Sequence, residues 1–257
     1  IFLIIEVKIF NHVRKIFLII IVADGQKMSN QIRNKVSVII RNKNEEKWIG
    51  HCIQSVIDKI YKPEIIVINN NSNDNSLNIV KTFIQDPELD LKPSRNYTDI
   101  KIFDIKDYTP GKALNFGVSK STRKYILVIS AHCVLRSINL NQLTTNLKKF
   151  SGIFGNQVPF WNGKRINKRY LWSHFGEKRK INMFSKLENR YFFHNAVSFF
   201  EKKTLKKFPF YEKLVGKEDR YWVNNLINNK KLKSLYDPSL QVDHHYTENG
   251  NTWKGIG

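Results

Sequence analysis

No stretch of the sequence is apolar over enough residues to cross a membrane. A spanning helix needs about 20 consecutive apolar residues, whereas charged residues divide the opening segment into two short apolar runs, at 1–5 and 16–23. The first methionine is Met28. We therefore expect translation to start there and residues 1–27 to be upstream read-through; the alternative is a short anchor that lies in a membrane surface.

Cysteine is also scarce, because Cys52 and Cys133 are the only two in 257 residues. So few cysteines exclude a disulfide framework and are typical of a protein in a reducing cytoplasm. We accordingly expect a cytoplasmic protein, with peripheral contact to the inner face of the cell membrane as a further expectation from its charge.

Acidic residues are few, 22 Asp and Glu against 43 Lys and Arg, which gives a formal net charge of +21. This charge favours anionic partners, namely nucleic acid, phosphate-bearing substrates or an acidic membrane surface. Part of it has a plainer explanation, since an AT-rich coding sequence produces a chain rich in Lys, Asn and Ile. Hydrophobic residues still make up 41% of the chain, which is enough for a packed core.

From residue 36 onward, short β-branched runs alternate with segments of helical periodicity. Each apolar run is typical of a strand buried on both faces, and the segments between them carry apolar residues three and four positions apart. We predict strands at 36–40, 64–68, 100–105 and 125–129, and helices at 45–60, 74–84, 112–119 and 218–227. This alternation predicts right-handed βαβ units and therefore an α/β fold with a mainly parallel sheet.

Glycine-rich phosphate loops are missing from this pattern. In an open parallel sheet, ligands bind beyond the carboxyl ends of the strands, so the loops at 41–46, 69–76 and 130–133 are the candidate binding loops. The first of them contains no glycine. Dinucleotide-binding and P-loop interpretations therefore lose their main support.

Five segments, in order, resemble the motifs of the family 2 glycosyltransferases, which have the GT-A fold. They are the opening strand with its Asn-Glu turn (36–46), the second strand and its Asp-rich loop (64–76), the segment before the fourth strand (111–117), the strand that ends in Asp-x-Asp (125–132) and the Glu-Asp motif (216–219). The resemblance implies one GT-A domain over 28–257, with a Rossmann-like, mainly parallel sheet flanked by helices. Its nucleotide-sugar-binding half would cover about 35–135 and its acceptor half about 150–245.

The same resemblance implies the activity and the roles of particular residues. The activity is transfer of a sugar from a nucleotide-activated donor to a glycan or lipid-linked acceptor, with inversion, in surface polysaccharide biosynthesis. Asp219 would take the proton of the acceptor hydroxyl and Glu218 would orient the acceptor, although two acids also suit the first turn of an ordinary helix. The residues expected at the donor are Arg41, Asn42, Asn44, Glu45, Asn69, Asn70, Lys112, Asn115, Ser130 and Ala131.

Three residues of the second half are expected at the acceptor. His194 and Asn195 interrupt a strongly apolar run, where polar side chains are costly unless they have a partner. Trp222 has a ring that can stack on a sugar. The alternative for His194 and for Trp222 is packing in the core.

Two motifs depart from the family pattern. Asn69 and Asn70 stand in place of aspartates, and an Asn side chain hydrogen-bonds a pyrimidine without adding charge. Ser130-Ala131-His132 stands in place of Asp-x-Asp, whose carboxylates hold a divalent cation on the donor diphosphate. His132 would suit Mn²⁺ better than Mg²⁺, with His244 or His245 as a further ligand implied by the resemblance. The alternatives are a packed His132 and Lys or Arg side chains that neutralise the diphosphate in place of a cation.

Two other function classes stay open on the sequence. A nucleotidyltransferase-like sugar-nucleotide enzyme has the same alternating sheet, but it requires a Gly-rich basic loop after the first strand. A non-catalytic protein that binds nucleic acid or a membrane is favoured by the loss of Asp-x-Asp. Its candidate surface is the basic segment 164–180 with Tyr170 and Trp172. Because no nucleic-acid-binding motif is present, anionic lipid is a better partner for it than nucleic acid, and a plain solvated face is the alternative.

Overall fold

The computed structural model describes residues 35–84, 99–166, 175–186 and 188–247. The expected leader at 1–27 lies outside the described residues, and so do residues 167–174 of the basic segment, among them Lys168, Arg169, Tyr170 and Trp172. In the part of the chain that is described, no helix is long and apolar enough to cross a membrane.

The first half folds as four parallel strands with a helix after each of the first three. The strands are β1 (Val36–Asn42), β2 (Glu64–Asn69), β3 (Asp99–Asp104) and β4 (Tyr125–Ser130), in the spatial order β3-β2-β1-β4. The helices are α1 (Ile49–Lys59), α2 (Ser76–Lys81) and α3 (Pro110–Lys120). The predicted strands and helices of this half are confirmed, with shifted ends.

The second half extends the same sheet with antiparallel pairs. After β5 (Cys133–Ser137) and α4 (Leu140–Asn146), the long strands are β6 (Gly152–Trp161), β11 (Val197–Glu201) and β12 (Ser234–His245). β11 pairs antiparallel with both β4 and β6, and β12 lies parallel to β6 and antiparallel to β5. The remaining elements are β7 (Lys164–Arg165), β8 (Lys180–Ile181), β9 (Phe184–Ser185), β10 (Arg190–Tyr191), α5 (Lys202–Lys207) and α6 (Glu218–Lys230).

Alternating side chains of the parallel strands build a core on each face of the sheet. Val38 and Ile40 belong to the core that contains α1, whereas Ile39 packs on the opposite face, where α3 lies. The close approach of α3 depends on Gly117, because a Cβ there would stand 2.7 Å from Ile39 Cγ2. Helices on both faces leave the carboxyl edge of the parallel strands as the open edge.

Candidate active site

A row of polar side chains lies at the carboxyl ends of three of the parallel strands. Asn42, Asn69 and Asp104 are neighbours in register on β1, β2 and β3. Asn69 Nδ2 donates to Asp104 Oδ1 at 2.6 Å, and Asn42 Nδ2 lies 3.4 Å from Asn69 Oδ1. The sequence analysis missed Asp104, although its place at the end of the third predicted strand was a usable signal. Asn42 is 1% exposed and Asn69 is 2% exposed, so Asp104, which is exposed, is the member of the row that is open to a base or a ribose.

The loops after β1 and β2 are joined by hydrogen bonds. Asn42 Nδ2 also donates to Ser76 Oγ at 3.0 Å, and Asn44 Oδ1 accepts from the backbone N of Asn73 at 2.9 Å. Asn44 has a φ of 54°, a left-handed conformation that Asn tolerates better than most residues. The side chains of Asn42 and Asn44, both expected at the donor, therefore hold the loops after β1 and β2 together.

Glu218 and Asp219 begin helix α6 and form what we call the acidic corner. Glu218 is 5% exposed, and its Oε1 accepts from Arg41 Nη1 at 3.0 Å and lies 3.4 Å from Asn195 Nδ2. Asp219 Oδ2 accepts from the backbone N of Asn195 at 3.3 Å. The sequence separation from Arg41 to Glu218 is 177 residues, so the fold brings the predicted base, its neighbouring acid and one predicted donor residue together.

Burial first and the adjacent charge of Glu218 second raise the pKa of Asp219 to about 7, although Arg220 and Arg41 act in the opposite direction. A carboxylate with a pKa near neutrality suits a general base, because it is available unprotonated at neutral pH and still accepts a proton readily. The sequence analysis did not single out Arg220, which follows Asp219 directly.

Asn195 connects the acidic corner to the turn that replaces Asp-x-Asp. Its side-chain oxygen accepts from Ser198 Oγ at 2.8 Å, and its carbonyl oxygen lies 3.4 Å from Ser130 Oγ. The backbone N of Ser130 in turn donates to the carbonyl of Ala196 at 3.1 Å. The pairing of β4 with β11 therefore places the Ser130 turn beside the predicted base.

His194 and Trp222 are both packed in the interior. The His194 ring lies against Phe154 and Phe175, and its Nε2 donates to the carbonyl of Gly155 at 3.0 Å. Burial lowers the pKa of His194 to about 4, so the ring is neutral at physiological pH. Trp222 is 3% exposed and donates its indole N–H to the carbonyl of Phe208 at 2.8 Å. Trp222 thus offers no ring face to a sugar, which corrects the expectation that it stacks on the acceptor.

Three predicted donor residues have structural contacts of their own. Asn115 donates to the carbonyl of Phe210 and accepts from the same residue's backbone N, at 2.8 and 3.0 Å, and so fastens that loop to α3. Lys112 Nζ donates to the carbonyl of Lys106 at 3.2 Å. Ala131 is 1% exposed. Asn115 therefore belongs to the framework next to the site, and Lys112 and Ala131 stay predicted donor residues. The backbone N of Asn70 donates to the carbonyl of Asn42 at 2.9 Å.

A chain of four side chains, which we call the histidine corner, crosses the position of the predicted cation. Glu45 Oε1 accepts from His132 Nδ1 at 2.8 Å, His132 Nε2 and His244 Nε2 are 3.0 Å apart, and His244 Nδ1 donates to Gln157 Oε1 at 2.5 Å. Burial lowers the pKa of His244, and the charge of His132 lowers it further. Gln157 is a member of the site that the sequence analysis missed, because it lies within a mostly apolar strand and belongs to no motif.

The predicted metal ligands are not arranged as one ligand set. His132 directs its two nitrogens to different partners, and the His245 ring stacks on Trp48 with 3.7 Å between centroids. Among the described residues, no group of three or more His, Cys, Asp and Glu side chains is placed to hold a metal ion. Hard divalent cations prefer several oxygen ligands, and the residues at this turn do not fit that requirement.

Comparison with known proteins gives one family and several similar structures. The model of glycosyl transferase family 2 matches residues 37–208. A curated protein of Methanococcus voltae, dolichyl N-acetyl-alpha-D-glucosaminyl phosphate 3-beta-D-2,3-diacetamido-2,3-dideoxy-beta-D-glucuronosyltransferase, is 26% identical over 102 residues, which is 38% of this chain and 29% of that protein.

Two solved structures share the fold. S. aureus TarS 1–349 in complex with UDP-GlcNAc superposes with a TM-score of 0.61 and 17% identity, over 85% of this chain and 60% of the TarS chain. GalNAc-T7 with UDP, GalNAc and Mn²⁺ superposes with a TM-score of 0.59 and 15% identity, over 84% of this chain and 45% of its own. The chain therefore spans less than two thirds of each of these relatives.

Proposed function

Because the chain belongs to the family 2 glycosyltransferases, we propose that it transfers a sugar from a nucleotide-activated donor to the hydroxyl of a glycan or lipid-linked acceptor, in surface polysaccharide biosynthesis. The acidic corner carries this proposal: a half-buried aspartate whose pKa is raised to about 7 lies at the carboxyl edge of the sheet, beside a buried second carboxylate that is held by Arg41.

In the proposed reaction Asp219 takes the proton of the acceptor hydroxyl. The acceptor oxygen forms its bond to the anomeric carbon as the bond from that carbon to the diphosphate oxygen breaks, and the electron pair leaves with the nucleoside diphosphate. A single displacement by a base opposite the leaving group inverts the anomeric carbon. Glu218 and Asn195 position Asp219 and the acceptor.

The donor and the acceptor are proposed from the site and from the relatives together. The Asn42–Asn69–Asp104 row supports a nucleotide at the ends of β1 to β3, and the TarS and GalNAc-T7 structures are named as complexes with UDP or UDP-GlcNAc. The name of the Methanococcus relative describes an acceptor that is a dolichyl-linked sugar phosphate, which supports a lipid-linked acceptor. His194 belongs to this proposal as a buried support of the acceptor side.

We also propose that the enzyme works in the cytoplasm and meets an anionic membrane surface at its inner face. The described basic residues of this segment are all exposed: Lys164, Arg165, Lys178, Arg179 and Lys180. Basic side chains near a surface of anionic lipid each contribute about 1 kcal/mol. Sedimentation with anionic and with neutral vesicles tests this part of the proposal, and equal binding to both would reject it.

The transfer reaction is tested with a panel of UDP-, GDP- and dTDP-sugars. We expect one base to be selected, both in nucleotide binding and in acceptor-dependent release of the nucleoside diphosphate. Asp219→Asn is the matched control, since it removes the base and leaves the nucleotide row intact. Failure of every nucleoside diphosphate and nucleotide-sugar in the panel to bind would reject the proposed function.

A further inference from the structure

We propose that the chain has a second ligand site, a cleft at the amino edge of the sheet that binds a small phosphorylated molecule of the size of a sugar phosphate. The cleft has a volume of about 520 Å³, which lies in the range of pockets that hold a small ligand. Among the described residues that line it, none belongs to the acidic corner or to the histidine corner. The inference therefore does not depend on the proposed function.

The cleft lies on the opposite edge of the sheet from the predicted base. Lys124 directly precedes β4, Ser151 directly precedes β6, and Glu201 ends β11, which runs antiparallel to both strands. These three residues are thus at the amino ends of β4 and β6, whereas Ser130, beside the acidic corner, ends β4. β4 has six residues, and a strand of that length spans about 20 Å. The cleft is therefore separate from the candidate active site.

Four lysines line this site, which we call the basic cleft: Lys124, Lys148, Lys149 and Lys203. They belong to three separate segments, namely the residue before β4, the loop after α4 and the helix α5. The fold, and not one basic run of the sequence, therefore brings them together. All four side chains are exposed, so their ammonium groups are free to turn towards a ligand in the cleft.

The basic cleft has one carboxylate to balance these lysines. Glu201 Oε1 lies 3.6 Å from Lys124 Nζ, and Glu201 Oε2 lies 3.2 Å from Lys203 Nζ. Within the described part of the chain, Lys148 and Lys149 form no ion pair. Four ammonium groups and one carboxylate leave a surplus of three positive charges in the lining. A phosphate group has a charge of about −1.5 to −2 at neutral pH and three acceptor oxygens, so it matches this surplus better than a carboxylate does.

The rest of the lining suits a ring that carries hydroxyl groups. Tyr125 and Phe150 line the cleft and also pack against the hydrophobic core, so their rings are held in place. The hydroxyl groups of Ser151 and Thr204, which are in the lining too, form no hydrogen bond to another described residue. Aromatic rings pack on the apolar face of a sugar, and Ser and Thr hydroxyls bind its hydroxyl groups.

The shape of the basic cleft favours a small ligand over a membrane. Basic side chains that project from a protein meet the flat layer of anionic headgroups. In the basic cleft, the two rings and the two hydroxyl-bearing residues are half-buried, and a concave lining of this kind contacts one small molecule from several sides. The anionic membrane surface is therefore the alternative that the experiment has to reject.

The test is calorimetry of the full chain with glucose 6-phosphate as the probe. We expect glucose 6-phosphate to bind, inorganic phosphate to bind at least about threefold more weakly because it lacks the ring, and glucose to give no measurable binding. In the variant Lys148→Gln, Lys149→Gln the affinity for glucose 6-phosphate should fall at least about tenfold, since two charge-assisted contacts are lost. Lys203→Gln removes one such contact from another segment and should lower the affinity by about three- to tenfold.

The matched control is Lys206→Gln, Lys207→Gln, which removes the same charge from two adjacent, exposed lysines of α5 outside the basic cleft. Its affinity for glucose 6-phosphate should stay within about twofold of the wild-type value. Equal affinities of the two double variants would mean that the probe binds elsewhere, for instance at the donor site, and would overturn the inference. A wild-type chain that binds no glucose 6-phosphate would overturn it as well.

Sedimentation with anionic vesicles distinguishes the two sources of phosphate. We expect the Lys148→Gln, Lys149→Gln variant and its control to bind such vesicles equally, because the cleft is proposed for a soluble ligand. Vesicle binding that is lost in the first variant alone, together with no binding of glucose 6-phosphate to the wild type, would assign these lysines to a membrane surface and reject the site for a small ligand.

Discussion

The acidic corner and the histidine corner lie on the same edge of the sheet and differ in how their carboxylates are paired. In the acidic corner, Glu218 and Asp219 are adjacent carboxylates, and only Glu218 is paired closely with Arg41. In the histidine corner, the single carboxylate of Glu45 is bonded to His132, His244 is bonded to Gln157, and the Nε2 atoms of the two rings are 3.0 Å apart. The acidic corner therefore contains a carboxylate with a raised pKa, Asp219, whereas the carboxylate of the histidine corner, Glu45, has a hydrogen-bond partner.

The two corners are accordingly expected to have different roles, namely proton transfer in the acidic corner and positioning of loops in the histidine corner. An uncompensated carboxylate has a raised pKa and takes up a proton near neutral pH, which is what a base must do. A chain of side-chain contacts, such as the one in the histidine corner, instead fixes the loops that carry its members. We therefore expect changes in the acidic corner to alter turnover, and changes in the histidine corner to alter donor binding.

The largest effect is expected for Asp219→Asn. The amide has the same shape but cannot take the acceptor proton, so kcat should fall by about 10³-fold, within the range of general-base contributions. Donor affinity should change by less than about threefold, as measured by calorimetry with the nucleoside diphosphate. Turnover above a tenth of the wild-type rate would remove Asp219 from the role of base.

The pH dependence of the wild type comes next in size. Asp219 must be unprotonated to act, so kcat/KM should rise with pH and level off above its pKa of about 7, with roughly a tenfold loss for each unit below. The free energy of unfolding changes with pH in the opposite direction to the rate. The folded-state pKa lies above the unfolded value of about 3.9, so ionisation of Asp219 lowers the free energy of unfolding as pH rises from 4 to 7.

Asp219→Asn is the control for that stability profile, because it removes this one titration and leaves His194 and His244 unchanged. Denaturant unfolding of both proteins between pH 4 and pH 8 isolates the difference. Parallel stability curves for the two proteins would show that the pKa of Asp219 is not raised in the folded state.

Glu218→Gln should have a smaller effect on the rate and a clear effect on stability. The change removes the charge that helps to raise the pKa of Asp219, so the midpoint of the pH–rate profile should move to lower pH. It also leaves Arg41, whose side chain is 19% exposed, without its ionic partner. We expect a loss of about 2 kcal/mol in the free energy of unfolding, below the cost of deleting one partner of a buried pair because Gln keeps a hydrogen bond. An unmoved pH midpoint would contradict the coupling of the two acids.

Sequence patterns predicted the parallel half well because its signals are local. The run at 36–40 and the apolar spacing of α1 each lie within one element, and buried strands and amphipathic helices leave such patterns. The same kind of signal should have placed Trp222 in the core, since Trp222, Val223, Leu226 and Ile227 form one apolar face of α6.

The histidine corner could not be derived from local patterns. His132 meets Glu45 across 87 residues and His244 across 112, and no periodicity links positions so far apart. Gln157 lies inside β6, a mostly apolar strand, and belongs to no recognisable motif. Such residues become functional candidates once the pairing of β4, β6, β11 and β12 is known.

The smallest effect is expected for His244→Gln, which breaks the middle link of the histidine corner. The amide keeps one hydrogen bond but cannot join His132 to Gln157 as the imidazole does, so the turn at 130–132 loses its connection to β6. We expect donor affinity to weaken by about three- to tenfold, while kcat at saturating donor and the pH midpoint stay as in the wild type. Calorimetry and the pH–rate profile of one preparation measure both quantities. A shifted midpoint would mean that the histidine corner takes part in proton transfer. It would contradict the assignment of proton transfer to the acidic corner and of positioning to the histidine corner.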